Sequence, residues 1–377
     1  ETGAHHGGRS HLGRGGDANR QKVEAARAGA SPELRVTAAR LLGEAPSDGD
    51  LIAVASEGSP WVRAEAVDAF LDMANARLLA GDHAAAAAQY RAVLQHHMGA
   101  EVERTALEGL GQCGEYDDNE LISPFMQDPD TGAAAYAVKA RLALKLPNRE
   151  DQVKELQAVA EVSPYEEGIF AAANLLAGLG VPVETYAKKR GYLTGWIAMG
   201  PFPNEGGATI GTNYLTPERA DAIQNLTWKG KNYVWEAAHT PSAPPVVELK
   251  SVYKDAEQSV AYVFAKFAVT KATAAELQLG VGGAFEVWLD GKLIERDPTP
   301  HTWRADEVRM PVTLNAGVNK VLVKVVQSTE DWRCSLRVAD RRGRPLDLSA
   351  QPAAKDGSEG VGINVNRAAN AVKKAVP

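Results

Sequence analysis

The stretch GVGGAFEVWLDGKLIERD, residues 280–297, decides the fold class of the second half of the chain. Apolar side chains alternate with others along it: Phe285, Val287 and Leu289 on one side, Glu286, Trp288 and Asp290 on the other. A period of two is that of a β-strand, whose successive side chains point to opposite faces. The tripeptide DGK at 290–292 suits the positive φ angles of a tight hairpin. The stretch therefore predicts a hairpin with the Phe285 face in the core.

Further short runs with strand character surround this hairpin. They are VAYVFAKFAV at 260–269, AELQLGV at 275–281, VRMPVTL at 308–314 and NKVLVKVVQ at 319–327. Turns rich in glycine, aspartate and asparagine separate them. Several short strands spaced by turns favour two packed sheets, so residues 191–348 are predicted to form a β-sandwich.

The first half of the chain is rich in alanine and leucine and has the spacing of helices. SPELRVTAARLL at 31–42 and SPWVRAEAVDAF at 59–70 align over their whole length, 28 residues apart. Serine caps helices and proline suits their first position, so each unit opens with a helix-start signal. Such units bury their apolar stripes only by stacking on one another. Residues 21–190 are therefore predicted to form an α-solenoid, with HEAT-like and tetratricopeptide-like (TPR-like) repeats both left open.

The expected fold class is thus α+β and multidomain, with helices giving way to strands close to Val181. The glycine-rich stretch 1–20 is expected to be a disordered tail, and residues 349–377, which are poor in apolar side chains, a loosely ordered one. The sequence begins without methionine, which fits either an expression scar or the mature end of an exported protein.

Composition narrows the classes of function. The net charge of −7 disfavours broad nucleic-acid binding, which needs a basic face. No run of eighteen apolar residues occurs, so no membrane span is expected. Cys113 and Cys334 are the two cysteines, and no CxxC or clustered Cys/His spacing predicts zinc or haem. We expect the two thiols to lie in different domains, and a disulfide between them is left open.

Four segments resemble a known module. They are WIAMGPFPNEGG at 196–207, VGGAFEVWLDGKLI at 281–294, RADEVRMPVTLNAGVNKVLVKV at 304–325 and WRCSLRVADRRGRPL at 332–346. Together they resemble the galactose-binding-like jelly roll of protective-antigen-like domains and of the sugar-binding domains of family 2 glycoside hydrolases. Their order after helical repeats is similar to the region preceding transglutaminase-like domains in large exported bacterial proteins. The resemblance implies a jelly roll in a periplasmic, cell-surface or extracellular protein. Related jelly rolls often bind Ca²⁺, but no site is assignable here, so no cofactor is expected.

The hairpin also raises a candidate sugar-binding face. Trp288 and Asp290 lie opposite the predicted core residues, and Trp303 and Trp332 border the following strands. Pyranose rings stack on indole, and carboxylates accept hydrogen bonds from hydroxyls. These four residues are therefore the predicted ligand face. The alternative is that the tryptophans pack under loops or against the helical domain.

Residues for catalysis form a weaker pattern. Glu205 and the pair Asp306–Glu307 are carboxylates that could serve a glycosidase, but nothing in the sequence fixes their separation. GxSxG, HExxH and Walker motifs do not occur. We expect no catalysis.

Three functions follow, in order of preference. The first is a non-catalytic exported scaffold that contacts other protein subunits through the solenoid and the sandwich. The second is a carbohydrate-binding or adhesion protein that uses the jelly roll. The third is the accessory arm of an enzyme acting on polysaccharide or peptide. Other subunits are the expected partners, with glycan as the alternative partner, and neither nucleic acid nor a membrane span is expected.

Overall fold

A computed structural model describes residues 31–42, 47–57, 60–204, 209–238, 242–327 and 331–349. The chain divides into two units, Glu1–Leu175 and Leu176–Pro377. Helices build the first unit and antiparallel strands dominate the second, so the α+β prediction is confirmed. The two predicted tails lie outside the described residues, apart from Ser349. Among the described helices, none combines the length and the apolar character needed to cross a membrane.

The helices follow one another with short connections. They are α1 (Pro32–Leu42), α2 (Asp48–Glu57), α3 (Pro60–Leu79), α4 (His83–Gln95), α5 (Ala100–Cys113), α6 (Asn119–Ile122), α7 (Gly132–Ala143), α8 (Arg149–Val162) and α9 (Glu166–Gly178), which crosses the boundary between the units. Short 3-10 turns occupy Tyr116–Asp118 and Ser123–Gln127. Side chains cap several of the described helix starts: Ser31 accepts from the Leu34 N–H of α1, Ser47 from the Asp50 N–H of α2, Asp82 from the Ala85 N–H of α4, and Asn148 from the Asp151 N–H of α8.

Most of the first helices pack against the next in the chain: α1 on α2, α2 on α3, α3 on α4, α4 on α5 and α7 on α8. The exception is α5, which packs on α7 beyond the one-turn helix α6. Phe70, Leu94 and Leu107 are fully buried in the core that these contacts form. Gly109 permits the approach of α5 to α4, because a Cβ there would lie 2.2 Å from Cζ of Tyr90.

The second unit is built mainly of strands. They are β1 (Ile197–Pro203), β2 (Asn225–Trp228), β3 (Lys231–Val234), β4 (Glu236–Ala237), β5 (Val247–Glu248), β6 (Ser259–Val269), β7 (Thr273–Val281), β8 (Gly283–Leu289), β9 (Lys292–His301), β10 (Val308–Leu314), β11 (Gly317–Val326) and β12 (Arg333–Asp340). Two short helices, α10 (Glu184–Lys189) and α11 (Leu249–Val252), accompany them.

These strands pair in an antiparallel manner in two sheets and one hairpin. The six-stranded sheet has the order β4-β1-β6-β11-β8-β9, the four-stranded sheet has the order β10-β7-β12-β5, and β2 pairs with β3. The turn between β8 and β9 is the predicted DGK hairpin, since Leu289 pairs with Lys292 and both Asp290 and Gly291 have positive φ.

The six-stranded sheet is covered on both faces. One face shares a hydrophobic core with the four-stranded sheet, and this core includes Phe285, Val287 and Leu289 as predicted. The other face lies under residues 209–235, here called the cap segment, which contributes Tyr214, Leu215 and Tyr233 among other side chains to a second apolar cluster. Every residue of β8 is therefore buried.

Candidate functional site

The predicted tryptophan row does not form an exposed face. Trp288 is 4% exposed in the cluster under the cap segment, and Trp332 is 1% exposed in the core between the sheets. The prediction of a solvent-facing side is wrong for both residues. For Trp288 the physical reason is that the cap segment covers the face opposite the main core, so alternation in β8 separates two cores and not core from solvent. Trp332 instead lies just before β12 in the core between the sheets, where its indole N–H donates to the Val325 carbonyl at 3.2 Å.

Trp303 and Asp290 lie elsewhere. Trp303 is half-buried after β9, where its backbone N–H donates to Asp331 Oδ2 at 2.6 Å and the Arg333 guanidinium lies 5.7 Å from its ring centroid. Asp290 is exposed on the β8–β9 turn. Of the four predicted residues, only Asp290 lines a described cleft in which polar side chains from several segments meet.

This cleft, here called the Asp290 cleft, has a volume of about 300 Å³. One wall comes from the cap segment, a second from the β8–β9 turn, and the rest from β6, β11 and the turn before β11. Its lining residues are Pro217, Glu218, Asp221, Phe264, Asp290, Gly291, Asn315, Val318, Lys320 and Leu322.

Asp290 is fixed at the rim by neighbours on both oxygens. Its Oδ1 accepts from the Lys320 N–H at 2.8 Å, and its Oδ2 accepts from Asn315 Nδ2 at 3.2 Å. Its own N–H donates to the Lys320 carbonyl at 2.8 Å. Its φ is +51°, a left-handed conformation in which aspartate and asparagine are found more often than most residues. The carboxylate is thus held in one orientation, with lone pairs left for further hydrogen bonds.

An ion pair links the cap segment to the sheet beside this carboxylate. Lys320 Nζ lies 2.6 Å from Asp221 Oδ2. The hydrogen bond from Lys320 is the largest cause that lowers the pKa of the Asp221 carboxyl, and burial opposes it. Asp221 therefore stays ionised at neutral pH, as an acceptor and not as a proton donor.

The floor of the cleft is apolar. Phe264 and Leu322 are 4% and 2% exposed, whereas Val318 at the side is 58% exposed. Lys266 Nζ lies 5.7 Å from the centroid of the Phe264 ring. Polar groups therefore surround a small hydrophobic surface that is open to solvent at Val318.

A buried lysine holds the start of the cap segment. Nζ of Lys324 donates to the carbonyls of Ile210 at 2.7 Å and Thr212 at 2.8 Å, and to Glu286 Oε2 at 3.0 Å. Burial lowers the pKa of the Lys324 ammonium, and the Glu286 carboxylate opposes that shift. Sequence reasoning missed this role. The signal was present in VLVKVV, where one lysine interrupts a run of aliphatic side chains in a core strand.

Two of the three candidate catalytic carboxylates lie within the described residues, and they have separate environments. Glu205 lies outside the described residues. Asp306 Oδ2 accepts from Arg337 NH1 at 3.1 Å and from the Tyr192 hydroxyl at 3.2 Å, so this carboxylate serves a structural network. Glu307 is exposed.

The cysteines are free thiols, so the disulfide left open by the sequence does not form. Both are buried. Burial raises the pKa of Cys113, and it raises the pKa of Cys334 to about 12. A neutral, buried thiol is a poor nucleophile, which agrees with core roles for both residues.

Comparison with known proteins gives little. No protein-family model matches the sequence, and no curated protein matches it. Among solved structures, the chain aligns with a selenomethionine-labelled β-glucosidase from Kluyveromyces marxianus at 11% identity and a TM-score of 0.28, over 63% of this chain and 38% of that one. The same enzyme in complex with glucose aligns at 10% identity and a TM-score of 0.27, over 64% and 33%. The chain thus spans well under half of these proteins, and alignments at this level do not establish a shared fold.

Proposed function

We propose that the protein is an exported, non-catalytic recognition scaffold. In this proposal the second unit is a galactose-binding-like jelly roll that holds a small polyhydroxylated ligand, such as a sugar residue of a glycan, in the Asp290 cleft. The first unit is an α-solenoid that contacts other protein subunits.

The observation that carries the binding role is the arrangement of fixed polar groups around an apolar floor. Ligand sites combine apolar surface with a few polar groups held in place, and they measure about 300–1,000 Å³. The Asp290 cleft lies at the lower end of that range, which suits a single ring. Asp290 and Asn315 supply acceptors and a donor at the rim, while the exposed Val318 offers an apolar surface for the C–H face of a pyranose.

The state of the carboxylates supports holding and not turnover. Asp221 is bound to Lys320, and its lowered pKa makes it a poor general acid at neutral pH. Asp290 has both oxygens bound to donors of the protein. An acceptor held in one orientation by such bonds can position a ligand hydroxyl.

The packing of each unit supports the two architectural parts of the proposal. Antiparallel sheets of six and four strands share one core, as in a sandwich. In the first unit, contacts run mainly between helices that are adjacent in the chain, which is typical of stacked repeats. Stacked repeats commonly present extended surfaces to proteins, which favours subunit contacts for this unit.

Isothermal titration of the full chain with a panel of mono- and oligosaccharides tests the binding role. Asn315→Ala removes the amide that fixes Asp290 Oδ2, and we expect about tenfold weaker binding, since 1.4 kcal/mol corresponds to a factor of ten. Val318→Thr keeps the β-branched shape but removes apolar surface, and it should weaken binding less.

Val234→Thr is the matched control, because Val234 is also an exposed valine in a strand and lies outside the cleft lining. It should bind like the parent protein. Sugar binding that is equally strong in all three variants would place the ligand elsewhere and refute this site. A panel without any binding would refute the carbohydrate role.

A further inference from the structure

The charges of the Asp290 cleft are unbalanced. Its lining contains three carboxylates, on Glu218, Asp221 and Asp290, and one cation, on Lys320. Lys266 at the margin also lowers the pKa of Asp221, though less than Lys320 does. Even with both lysines counted, the carboxylates exceed the cations by one.

The three carboxylates are not equivalent. Asp221 is paired with Lys320, and Asp290 accepts from an amide and a backbone N–H. Glu218, in contrast, makes no ion pair with any residue in the described part of the chain and is exposed to solvent. Its negative charge is therefore the one that a ligand can neutralise.

The backbone of Glu218 is nevertheless held firmly. It lies in the short turn Pro217–Arg219 of the cap segment, against the β8–β9 turn. A Cβ built on Gly291 would lie 2.8 Å from Cα of Glu218, which shows how closely the two segments approach. Glu218 is thus fixed beside the β8–β9 turn, and it lines the same cleft as Asp290 and Asn315.

Resting on the proposed carbohydrate role, we propose that the ligand is an amino sugar with a free, protonated amine, and that Glu218 receives its ammonium group. A charge-assisted hydrogen bond from an ammonium to a carboxylate is about twice as strong as a neutral one. The ring would lie on Val318, and its hydroxyls would meet Asp290 and Asn315. Acetylation of the amine removes the positive charge and adds bulk beside Glu218, so the site discriminates against N-acetylated sugars.

The test compares glucosamine oligomers with N-acetylglucosamine oligomers of the same length, by isothermal titration of the full chain at neutral pH. We expect the free amine to bind at least tenfold more tightly, with a preference that declines as salt is added, because Glu218 is exposed. Glu218→Gln should reduce the preference to about threefold or less without weakening the N-acetylated ligand. Glu307→Gln, which changes an exposed glutamate of the same unit outside the cleft lining, should leave the preference unchanged.

Each of the other possible results refutes a stated proposal. Equal affinity for both oligomers would refute the amine while leaving the carbohydrate role intact. If neither oligomer binds but neutral sugars do, the amine is again refuted and the carbohydrate role is retained. Binding of no sugar but of a lysine-rich peptide, lost in Glu218→Gln, would show that the cleft takes a basic protein side chain and would refute both proposals.

Discussion

Replacing Lys324 by methionine tests whether one buried ammonium fastens the cap segment to the six-stranded sheet. The Lys324 side chain is 0% exposed and Glu286, its partner at 3.0 Å, is 5% exposed. Methionine has a similar length and fills the space, but it donates no hydrogen bond. The substitution therefore leaves the carbonyls of Ile210 and Thr212 without this donor, and Glu286 without its closest cation.

The expected cost follows from these contacts. Removing one partner of a buried ion pair costs about 3–5 kcal/mol, because the remaining charge stays away from water. Arg296 Nε lies 3.4 Å from Glu286 Oε1 and offsets part of that cost. We therefore expect the lower end, about 3 kcal/mol. The double variant Lys324→Met/Glu286→Gln removes the unpaired charge, so it should lose less stability than the single variant.

Urea unfolding followed by tryptophan fluorescence measures this loss. Six of the seven tryptophans lie between 196 and 332, so the signal reports mainly on the β-strand unit. With a slope of about 2 kcal/mol per molar urea, a loss of about 3 kcal/mol lowers the midpoint by about 1.5 M. Lys292→Met, at an exposed position of β9, is the control and should shift it little. A midpoint for Lys324→Met equal to that of the control, or a double variant less stable than the single one, would refute the reasoning.

Three further predictions concern other parts of the molecule. Gly109→Ala should destabilise the helical unit by about 1–3 kcal/mol in thermal unfolding followed by far-UV circular dichroism, because its Cβ meets the buried Tyr90 ring. Gly49→Ala in α2 of the same unit, where a Cβ meets nothing within 4 Å, should not, and equal effects would contradict the close-packing argument. Asp221 has a lowered pKa in the folded chain, so the stability that its ion pair contributes is present above the unfolded pKa of about 3.9 and is lost as pH falls through the lower folded pKa. Asp221→Asn should reduce the acid-induced loss of unfolding free energy, measured by urea titrations at several pH values, by about a fraction of a kcal/mol. An unchanged loss would count against this role of the ion pair. Cys334, with its raised pKa and complete burial, should resist a thiol reagent in the native protein and react after denaturation; rapid native labelling at this residue would contradict the structure.

Local patterns predicted the strands well because their signals are local. The alternation of Phe285, Val287 and Leu289 identified one face of β8, and those side chains do lie in the core between the sheets. The DGK turn could also be predicted from the sequence. Asp290 and Gly291 both have positive φ, a requirement that few residue types meet.

The second core was not readable, for a physical reason. Alternation shows which residues share a face of the strand but not what covers that face. The sequence therefore predicted a solvent-facing Trp288, whereas the cap segment covers it in the structure. The aromatic residues of the cap segment are scattered among glycines, prolines and turns, with no regular period to mark them as a covering layer. The two carbonyls that Lys324 binds, on Ile210 and Thr212, are more than a hundred residues away in the chain, and no local motif indicates such a contact.

The cleft is a consequence of that same covering layer. A cap segment that sealed the whole sheet face would leave no site, and a bare face would offer aromatic surface without fixed polar groups. Here the part of the sheet face that the cap segment covers ends near Phe264 and Leu322. At this margin Glu218 and Asp221 of the cap segment line the cleft together with Asp290 and Asn315. Recognition in our proposal therefore depends on the margin of the cap and not on the tryptophans beneath it. Two lysines of β11 therefore fasten this wall to the sheet: Lys324 binds the carbonyls of Ile210 and Thr212 at the start of the cap segment, and Lys320 binds Asp221 further along it.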